Sequence, residues 1–205
     1  MNVCRIIGAG ECEKLDFEKQ SGDLIIAADG GCVYLEKTGI KPDIIIGDFD
    51  SLGYAPDGDG VIKLNPIKDV TDMDAAVKEG IKRGYTEFRL YGACGGRVDH
   101  TLANIQLCAS LAQKNIKVLI HGGMNITAVC NGEIIFEPDC RGYISVFSHS
   151  DKCTGVTIEG LKYTLDNAEL FNAFPLGVSN EFIGVQSRIK VENGTLIIIY
   201  SAEKY

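Results

Sequence analysis

The sequence predicts an α/β fold with two domains: an N-terminal domain built on a Rossmann-like, mostly parallel sheet, and a small C-terminal all-β sandwich. Before Gly122-Gly123, short apolar runs alternate with segments whose apolar residues recur at helical spacing. Such alternation is typical of parallel, doubly wound sheets. After these glycines, β-rich runs follow one another without a helix of normal length, separated by turn signals such as Asn131-Gly132 and Asn193-Gly194.

The first domain is expected to span residues 1–124. In its last helix Leu102, Ile105 and Ala109 recur at helical spacing and would face the core. The expected strands of this domain cover residues 3–7, 24–28, 43–46, 61–64, 88–91 and 117–121, and the expected helices cover 31–37, 74–83 and 101–113.

The second domain is expected to span residues 125–205 and to be an antiparallel sandwich. A domain of about 80 residues is near the lower limit for independent stability, so we expect it to dock on the first domain or on a second subunit. Its expected strands cover residues 126–130, 133–136, 143–147, 154–158, 188–191 and 195–200.

Composition excludes several functional classes. The chain has 205 residues, 45% of them hydrophobic and 23% charged, which suffices for a real core. A net charge of −8 provides no electrostatic footprint for nucleic acid or an anionic membrane. No apolar run approaches the ~18 residues of a membrane span, and the N-terminus lacks a signal peptide's basic region, so we expect a cytoplasmic protein. Eight cysteines without a CxxC pair indicate buried thiols rather than disulfides or zinc ligands.

Acidic side chains gather in two short segments, 47–51 (GDFDS) and 69–74 (DVTDMD), and a third segment, 95–100 (GGRVDH), places an arginine beside another acid. Like charges at close range raise one another's pKa, so gathering them in one site is unfavourable unless a cation is present. Magnesium is the usual cation when a nucleotide polyphosphate supplies the remaining oxygen ligands. The sequence therefore predicts a metal-dependent enzyme acting on a phosphate anhydride.

These segments follow the expected strands at their carboxyl ends. Asp29 and Gly30 follow the second strand, segment 47–51 follows the third, and segment 95–100 follows the strand at 88–91. Ligands of open α/β sheets bind outside the carboxyl ends of the strands. Convergence of three loops on one edge favours a single site there.

Each segment also has a purely structural interpretation. Asp48 and Asp50 can direct their carboxylates the same way around a core-anchored Phe49, but they also fit a solvated acidic turn. Asp69 and Thr71 fit helix N-caps as well as substrate contacts. Neither interpretation is excluded by the sequence.

The arginine segment has the features of a phosphate-binding turn. Gly96 permits close backbone approach to an anion, and Arg97 can grip phosphate with two parallel hydrogen bonds. A glycine-rich turn capped by Asp99 is the structural alternative, and His100 fits a structural hydrogen-bonding role. The 8–10 segment (GAG) only weakly matches a dinucleotide-binding fingerprint and is interpreted as a tight turn.

The motifs occur in a characteristic order over nearly the whole chain. In that order they are 29–31 (DGG), 39–43 (GIKPD), 47–51 (GDFDS), 69–72 (DVTD), 95–100 (GGRVDH) with Asn104, 160–163 (GLKY) and 177–180 (GVSN). The chain thereby resembles the thiamine pyrophosphokinases of the bacterial type. The resemblance implies ATP and thiamine as substrates, Mg²⁺ as cofactor, and a homodimer with thiamine bound at the subunit interface.

The resemblance also implies roles for individual residues. Asp48, Asp50 and Asp72 match the magnesium ligands, and Arg97 and Asp99 match the phosphate-handling pair, so that Asp72, Arg97 and Asp99 are the expected catalytic residues. Some relatives carry tryptophan at the position of Tyr163. The tyrosine keeps an aromatic ring there, against which a substrate could pack. The residues expected to bind substrate are Asp29, Gly30, Ser51, Asp69, Thr71, Gly96, His100, Asn104, Tyr163, Ser179 and Asn180.

In the expected reaction, the thiamine hydroxyl attacks the β-phosphorus of ATP and AMP leaves. Asp99 would bind metal or accept the hydroxyl proton, and the sequence leaves this choice open. Alternatives are a diphosphokinase of the same fold acting on another alcohol, such as a pterin, and a nucleotide pyrophosphohydrolase. A sensor that binds without turnover would leave the acidic segments unexplained.

Overall fold

The structure is a computed structural model that describes residues 2–12, 14–15, 17–49, 58–65 and 69–201. Asp50 and Ser51, two of the expected site residues, lie outside the described residues. The chain divides into two compact units. The first unit comprises Met1–Leu107 with Ile120–Gly122, and the second comprises Cys108–Leu119 with Gly123–Tyr205. The boundary expected after residue 124 stays a prediction. The two units interleave between residues 107 and 123, so no single boundary position is available for comparison.

The first unit is built on parallel strands. Strand β5 pairs with β1, β1 with β2, β2 with β3 and β3 with β4, every pair parallel. This agrees with the expected mostly parallel sheet. The elements in chain order are β1 (Cys4–Ile7), β2 (Leu24–Ala28), a 3-10 turn (Asp29–Gly31), α1 (Cys32–Thr38), β3 (Ile44–Gly47), β4 (Val61–Lys63), α2 (Asp72–Lys82), β5 (Glu87–Tyr91) and α3 (Val98–Ala112), which belongs to the first unit as far as Leu107.

Strands β1 and β2 are buried along their whole length, as expected of central strands in a parallel sheet. Arg5 of β1 is accommodated there by an ion pair with Asp23, which also accepts hydrogen bonds from the backbone N–H groups of Val3 and Gln20. Burial by itself raises the pKa of Asp23, but these hydrogen bonds and Arg5 outweigh it and hold the pKa below its usual range. The charge is therefore compensated inside the core.

The second unit is antiparallel. One sheet contains β12, β9, β14 and β7 in that spatial order with β6 beside β7, and a separate four-stranded sheet has the order β11-β10-β13-β8. The strands are β6 (Lys117–Ile120), β7 (Met124–Cys130), β8 (Glu133–Phe136), β9 (Tyr143–Ser148), β10 (Lys152–Glu159), β11 (Leu165–Phe171), β12 (Gly177–Glu181), β13 (Ser187–Lys190) and β14 (Thr195–Ser201).

Both sheets of the second unit contribute to one apolar core. Ile144 and Leu196 come from the first sheet and Val156 and Ile189 from the second, and all four are fully buried. Side chains packed between two antiparallel sheets define a sandwich. The strands of the second unit thus agree with the expected antiparallel sandwich, although the unit also contains residues 108–112, the end of α3.

Two strands of the second unit were absent from the sequence prediction. Strand β11 contains Asp166, Asn167 and Glu169, which have low β-propensity, and of its residues only Leu170 is buried. Strand β12 has a single buried residue, the polar Asn180. Both strands form by pairing with β10 and β9, and the sequence pattern does not reveal this pairing. The prediction was also wrong for Leu102, which is 55% exposed on α3.

Candidate functional site

The candidate site lies where the loops after β1 and β5 meet. These strands are neighbours in the sheet, yet the chain runs from β1 to β2 on the other side. The order of strands reverses at such a point, leaving a crevice at the carboxyl edge. The two loops are joined by hydrogen bonds from Gly8 N to Tyr91 O and from Gly10 N to Gly92 O, both 2.8 Å. Their backbones thus form one wall.

A cleft of about 610 Å³ opens at this edge, within the range of small-molecule sites. Four loops and the N-terminal ends of two helices of the first unit contribute to it. The lining residues are Gly8, Ala9, Gly10, Ala28, Asp29, Asp48, Thr71, Asp72, Met73, Gly92, Ala93, Gly95, Gly96, Arg97, His100 and Asn104. The structure therefore brings together Asp29, Asp48, Thr71, Asp72, Gly96, Arg97, His100 and Asn104 of the expected site residues.

Asp29 and Asp48 are presented by two unusual backbone conformations. Asp29 has φ 47°, and Phe49, which follows Asp48, has φ 63°. Left-handed backbone is uncommon outside glycine and costs energy that the surroundings must offset. For Phe49 the compensation is burial, since its side chain is only 5% exposed. The expected anchoring of this loop by Phe49 is confirmed.

Close packing between strand ends fixes these loops. A Cβ atom on Gly31 would lie 1.8 Å from the carbonyl oxygen of Ile7, and one on Gly47 would lie 3.1 Å from the Cα of Asp29. The first distance is impossible for any other residue, so position 31 requires glycine. The loops carrying Asp29 and Asp48 are consequently held close together.

Asp72 enters the cleft at the start of α2. Thr71 is the N-cap, and its hydroxyl accepts a hydrogen bond from Asp74 N at 3.1 Å. Asp74 itself pairs with Lys78 one turn along the helix, with 2.7 Å between Oδ2 and Nζ. Asp69 is exposed and does not line the cleft. In this acidic segment, Asp72 is the carboxylate that faces the cleft.

Arg97 and Asp99 form a two-pronged ion pair. Arg97 Nε lies 3.1 Å from Asp99 Oδ1, and Nη2 lies 2.6 Å from Oδ2. The hydrogen bonds from Arg97 hold the pKa of Asp99 below its usual range, and Asp99 raises the pKa of Arg97. Both side chains are largely exposed, so the pair can open when an anionic ligand competes for the guanidinium.

Asn104 supports the floor of the cleft. Its side chain is buried and donates a hydrogen bond from Nδ2 to Ala93 O at 2.7 Å, which ties α3 to the loop after β5. His100, in the first turn of α3, is exposed at the cleft. Gly30 does not line the cleft, although Asp29 before it does.

The donor set suits a hard divalent cation. Asp48 and Asp72 reach the same cleft from different elements, and carboxylate oxygens are the ligands that magnesium prefers. Among the residues that the structure describes, no group of three His, Cys, Asp or Glu side chains could hold a metal. Asp50, the third expected ligand, lies outside those residues.

In the second unit, the structure brings Tyr163 and Asn180 together. Asn180 Oδ1 accepts from Tyr163 N at 2.9 Å, and Nδ2 donates to Tyr163 O at 2.7 Å. The same Oδ1 accepts from Glu181 N. Asn180 is 6% exposed, whereas the ring of Tyr163 is largely exposed. Asn180 thus clamps the backbone that presents the aromatic ring.

Ser179 precedes this clamp in a left-handed conformation, with φ 59°. Its N–H donates to Ser145 Oγ at 3.1 Å, and the pairing of β12 with β9 is irregular between Gly177 and Asn180. The irregularity turns the side chain of Ser179 toward solvent. Lys162, paired with Glu181 at 2.8 Å, lies over the ring of Tyr163 at 5.6 Å.

Sequence reasoning missed part of the cleft wall. Segment 8–10 was interpreted only as a tight turn, yet all its residues line the cleft. A Cβ on Gly8 would lie 2.7 Å from Gly92 O, and one on Gly10 would lie 2.6 Å from the same atom. These glycines allow the two loops to touch. Their position directly after the first strand, at the edge where ligands of open α/β sheets bind, was the sequence feature that could have predicted this.

Comparison with known proteins gives consistent results for both parts of the chain. The family model described as thiamin pyrophosphokinase, catalytic domain, matches residues 17–120. The model described as thiamin pyrophosphokinase, vitamin B1 binding domain, matches residues 133–197. Together the matched segments contain the cleft and the Tyr163–Asn180 clamp, apart from the loop after β1.

Similar individual proteins point to the same family as the two family models. The chain is 33% identical over 189 residues to thiamine pyrophosphokinase of Bacillus subtilis strain 168, covering 88% of each chain. The fold is similar to the crystal structure of the Bacillus subtilis enzyme, with TM-score 0.85, 28% identity and coverage of 98% and 99%. It is also similar to thiamin pyrophosphokinase from Geobacillus thermodenitrificans, with TM-score 0.83, 27% identity and 98% coverage of both chains.

Proposed function

The chain belongs to the thiamine pyrophosphokinase family and is an enzyme, and from that premise we propose that it transfers the diphosphate group of ATP to the hydroxyl of thiamine. The products are thiamine diphosphate and AMP. The observation that carries this proposal is the convergence of Asp48, Asp72 and Arg97 on one cleft at the point where the strand order reverses.

Such a transfer requires alignment and charge neutralisation more than covalent catalysis. Asp48 and Asp72, with Asp50, would hold Mg²⁺, which supplies neutralisation of the polyphosphate charge when bound. The backbone wall of glycines allows the polyphosphate to approach closely. The N-terminal end of α3 adds a favourable partial positive charge.

Arg97 would stabilise the charge that develops on the transferred group. To do so it must exchange its two hydrogen bonds with Asp99 for bonds to phosphate oxygens. Asp99, once released, is available either to bind metal or to accept the proton of the thiamine hydroxyl. The pairing of these residues supports a shared role and leaves that choice open.

For thiamine we propose the surface of the second unit that carries Tyr163, Ser179 and Asn180. The exposed ring of Tyr163 offers a face on which an aromatic vitamin can stack. We propose further that the enzyme is a homodimer in the cytoplasm, with thiamine between the acidic loops of one subunit and the second unit of its partner. Exposed apolar side chains support an interface; they are Tyr143, Phe171, Phe174, Leu176, Val178, Ile183 and Val185.

Within the described residues, no helix combines the length and apolar character that crossing a membrane requires.

The acceptor and the metal requirement can be tested in one experiment. Purified protein is incubated with ATP, magnesium chloride and thiamine, and the products are followed by mass spectrometry and phosphorus NMR.

We expect thiamine diphosphate and AMP to appear together and both to be lost with EDTA. A pterin alcohol in place of thiamine serves as the control acceptor. AMP without a thiamine product would instead identify a hydrolase or a different acceptor, and turnover that persists in EDTA would contradict the metal site. Light scattering of the same sample tests the homodimer.

A further inference from the structure

The loop after β1 is joined to the loop after β5 beyond the glycines that line the cleft. Glu11 N donates to Cys94 O at 2.9 Å, which continues the ladder begun by Gly8 and Gly10. The Glu11 side chain then turns back, and Oε1 accepts a hydrogen bond from Gly96 N at 3.1 Å. One residue therefore holds the second loop through both its backbone and its carboxylate.

The side chain of Glu11 also packs against Gly95. A Cβ atom on Gly95 would lie 2.5 Å from Glu11 Cδ and 2.6 Å from Glu11 Cβ and Cγ. The absence of a side chain at position 95 is thus what admits the carboxylate to Gly96 N. At Gly96 itself, an added Cβ would meet nothing within 4 Å, so that side of the loop is open.

Glu11 holds the loop from outside the cleft. Among the described residues Gly10, Gly95 and Gly96 line the cleft, whereas Glu11 does not. The N–H of Gly96 is consequently directed to Glu11 and not presented to a ligand. The open side of Gly96 and the following Arg97 are presented to the cleft instead.

The segment held in this way is intrinsically flexible. Gly95 and Gly96 are consecutive residues with left-handed backbone, φ 82° and 62°. Glycine loses more conformational freedom on ordering than any other residue, so a pair of glycines does not keep one conformation without external contacts. Asn104 holds the beginning of the loop at Ala93, and Glu11 holds its end next to Arg97.

We propose that Glu11 is a positioning residue for the phosphate-handling loop: its carboxylate fixes Gly95-Gly96 so that Arg97 enters the cleft in the orientation that the polyphosphate needs. The proposal rests on the proposed function for its kinetic consequence. Its structural part, the hold on Gly96 N by Glu11, is independent of the reaction.

The test compares Glu11→Ala with Glu11→Gln, and Glu18→Gln is the control for loss of an exposed acid from the same connecting segment. The glutamine variant keeps an acceptor oxygen for Gly96 N but removes the charge. We expect Glu11→Ala to lower kcat/KM for ATP by up to about tenfold, the effect of losing one hydrogen bond that fixes the loop. The thiamine KM should stay within about twofold, because the loop handles phosphate.

Glu11→Gln should recover most of the loss, and Glu18→Gln should match the parent. All variants should unfold at the same temperature, since Glu11 is exposed. Equal losses in Glu11→Ala and Glu11→Gln would show that charge, not the hold on Gly96, matters and would overturn the proposal. A selective rise in thiamine KM would overturn it as well.

Hydrogen exchange at the Gly96 amide, followed by NMR, separates this proposal from the proposed function. Exchange should accelerate in Glu11→Ala and stay near the parent rate in Glu11→Gln. If the parent protein makes no thiamine diphosphate, the proposed function fails, and the exchange rates still test the hold. Unchanged exchange in Glu11→Ala would refute the positioning role whatever the activity.

Discussion

The cleft of the first unit and the Tyr163–Asn180 surface of the second unit present functional groups in opposite ways. In the cleft, the backbone is fixed by glycine contacts and loop-to-loop hydrogen bonds, while the ends of Arg97 and Asp99 remain largely exposed. In the second unit, Asn180 is buried, and its side-chain amide forms hydrogen bonds with the backbone of Tyr163.

This difference predicts different consequences of mutation. An exposed side chain on a rigid backbone contributes little to stability, so its loss affects chemistry alone. A buried amide whose partners are backbone groups contributes to stability, and its loss leaves those groups unsatisfied. Activity and stability should therefore separate in the cleft and change together in the second unit.

The largest effect is expected for Asp72→Asn, which removes a carboxylate charge from the cleft while preserving side-chain size. Charge stabilisation by a bound metal is worth several kcal/mol, so kcat should fall at least about a hundredfold. Magnesium titration of activity and thermal unfolding measure the two consequences. A fall in unfolding temperature as large as that of Asn180→Ala would break the contrast between the regions.

Arg97→Lys should lower kcat by about ten- to a hundredfold without changing stability. Lysine keeps the positive charge but cannot make two parallel hydrogen bonds to phosphate or to Asp99. Steady-state kinetics with varied ATP provides the measurement, and Arg83→Lys, at an exposed helix end, is the matched control. Parent-level kcat would mean that charge alone suffices at this position.

Asn180→Ala should cost about 1–3 kcal/mol of unfolding free energy and raise the thiamine KM more than the ATP KM. The change leaves Tyr163 N, Tyr163 O and Glu181 N without their side-chain partner. Tyr163→Phe is the comparison, since it keeps the ring and the clamp. Urea unfolding and two-substrate kinetics measure the effects, and a change confined to the ATP KM would contradict the proposed thiamine surface.

The smallest effect is expected for Asp74→Asn, two residues from Asp72. Asp74 faces Lys78 in an i,i+4 pair, which is typically worth about 0.3–0.5 kcal/mol. Both kcat and stability should stay close to the parent values. A large loss of kcat would mean that the acidic segment acts as a whole and not through Asp72.

Much of the fold was predictable because hydrophobic periodicity reports burial directly. Strands β1, β2 and β5 coincide with the expected runs within a residue or two, and the parallel order follows from their alternation with helices. Strands β11 and β12 were not predictable, since each has a single buried residue and many of their residues are polar. They are strands because β10 and β9 offer unpaired edges.

The site was predictable to the extent that strand ends locate it. Asp29, Asp48 and Arg97 were expected on one edge from the strand ends, Asp72 was added by the resemblance, and all four line one cleft. Side-chain direction was not predictable. The resemblance selected Asp72 over Asp74, but the physical reason became visible only in the structure, where the N-cap at Thr71 sets the rotation of α2.

The sequence by itself determined the alternation of elements, the edge of the sheet at which the candidate cleft opens, and the family. These depend on residue types and their spacing, which are local properties. Only the tertiary structure decided that Gly8 and Gly10 form a wall with the β5 loop, that Asn180 is a clamp, and that Glu11 reaches Gly96. Those features are contacts between residues distant in sequence, and no local pattern encodes the distance between two such atoms.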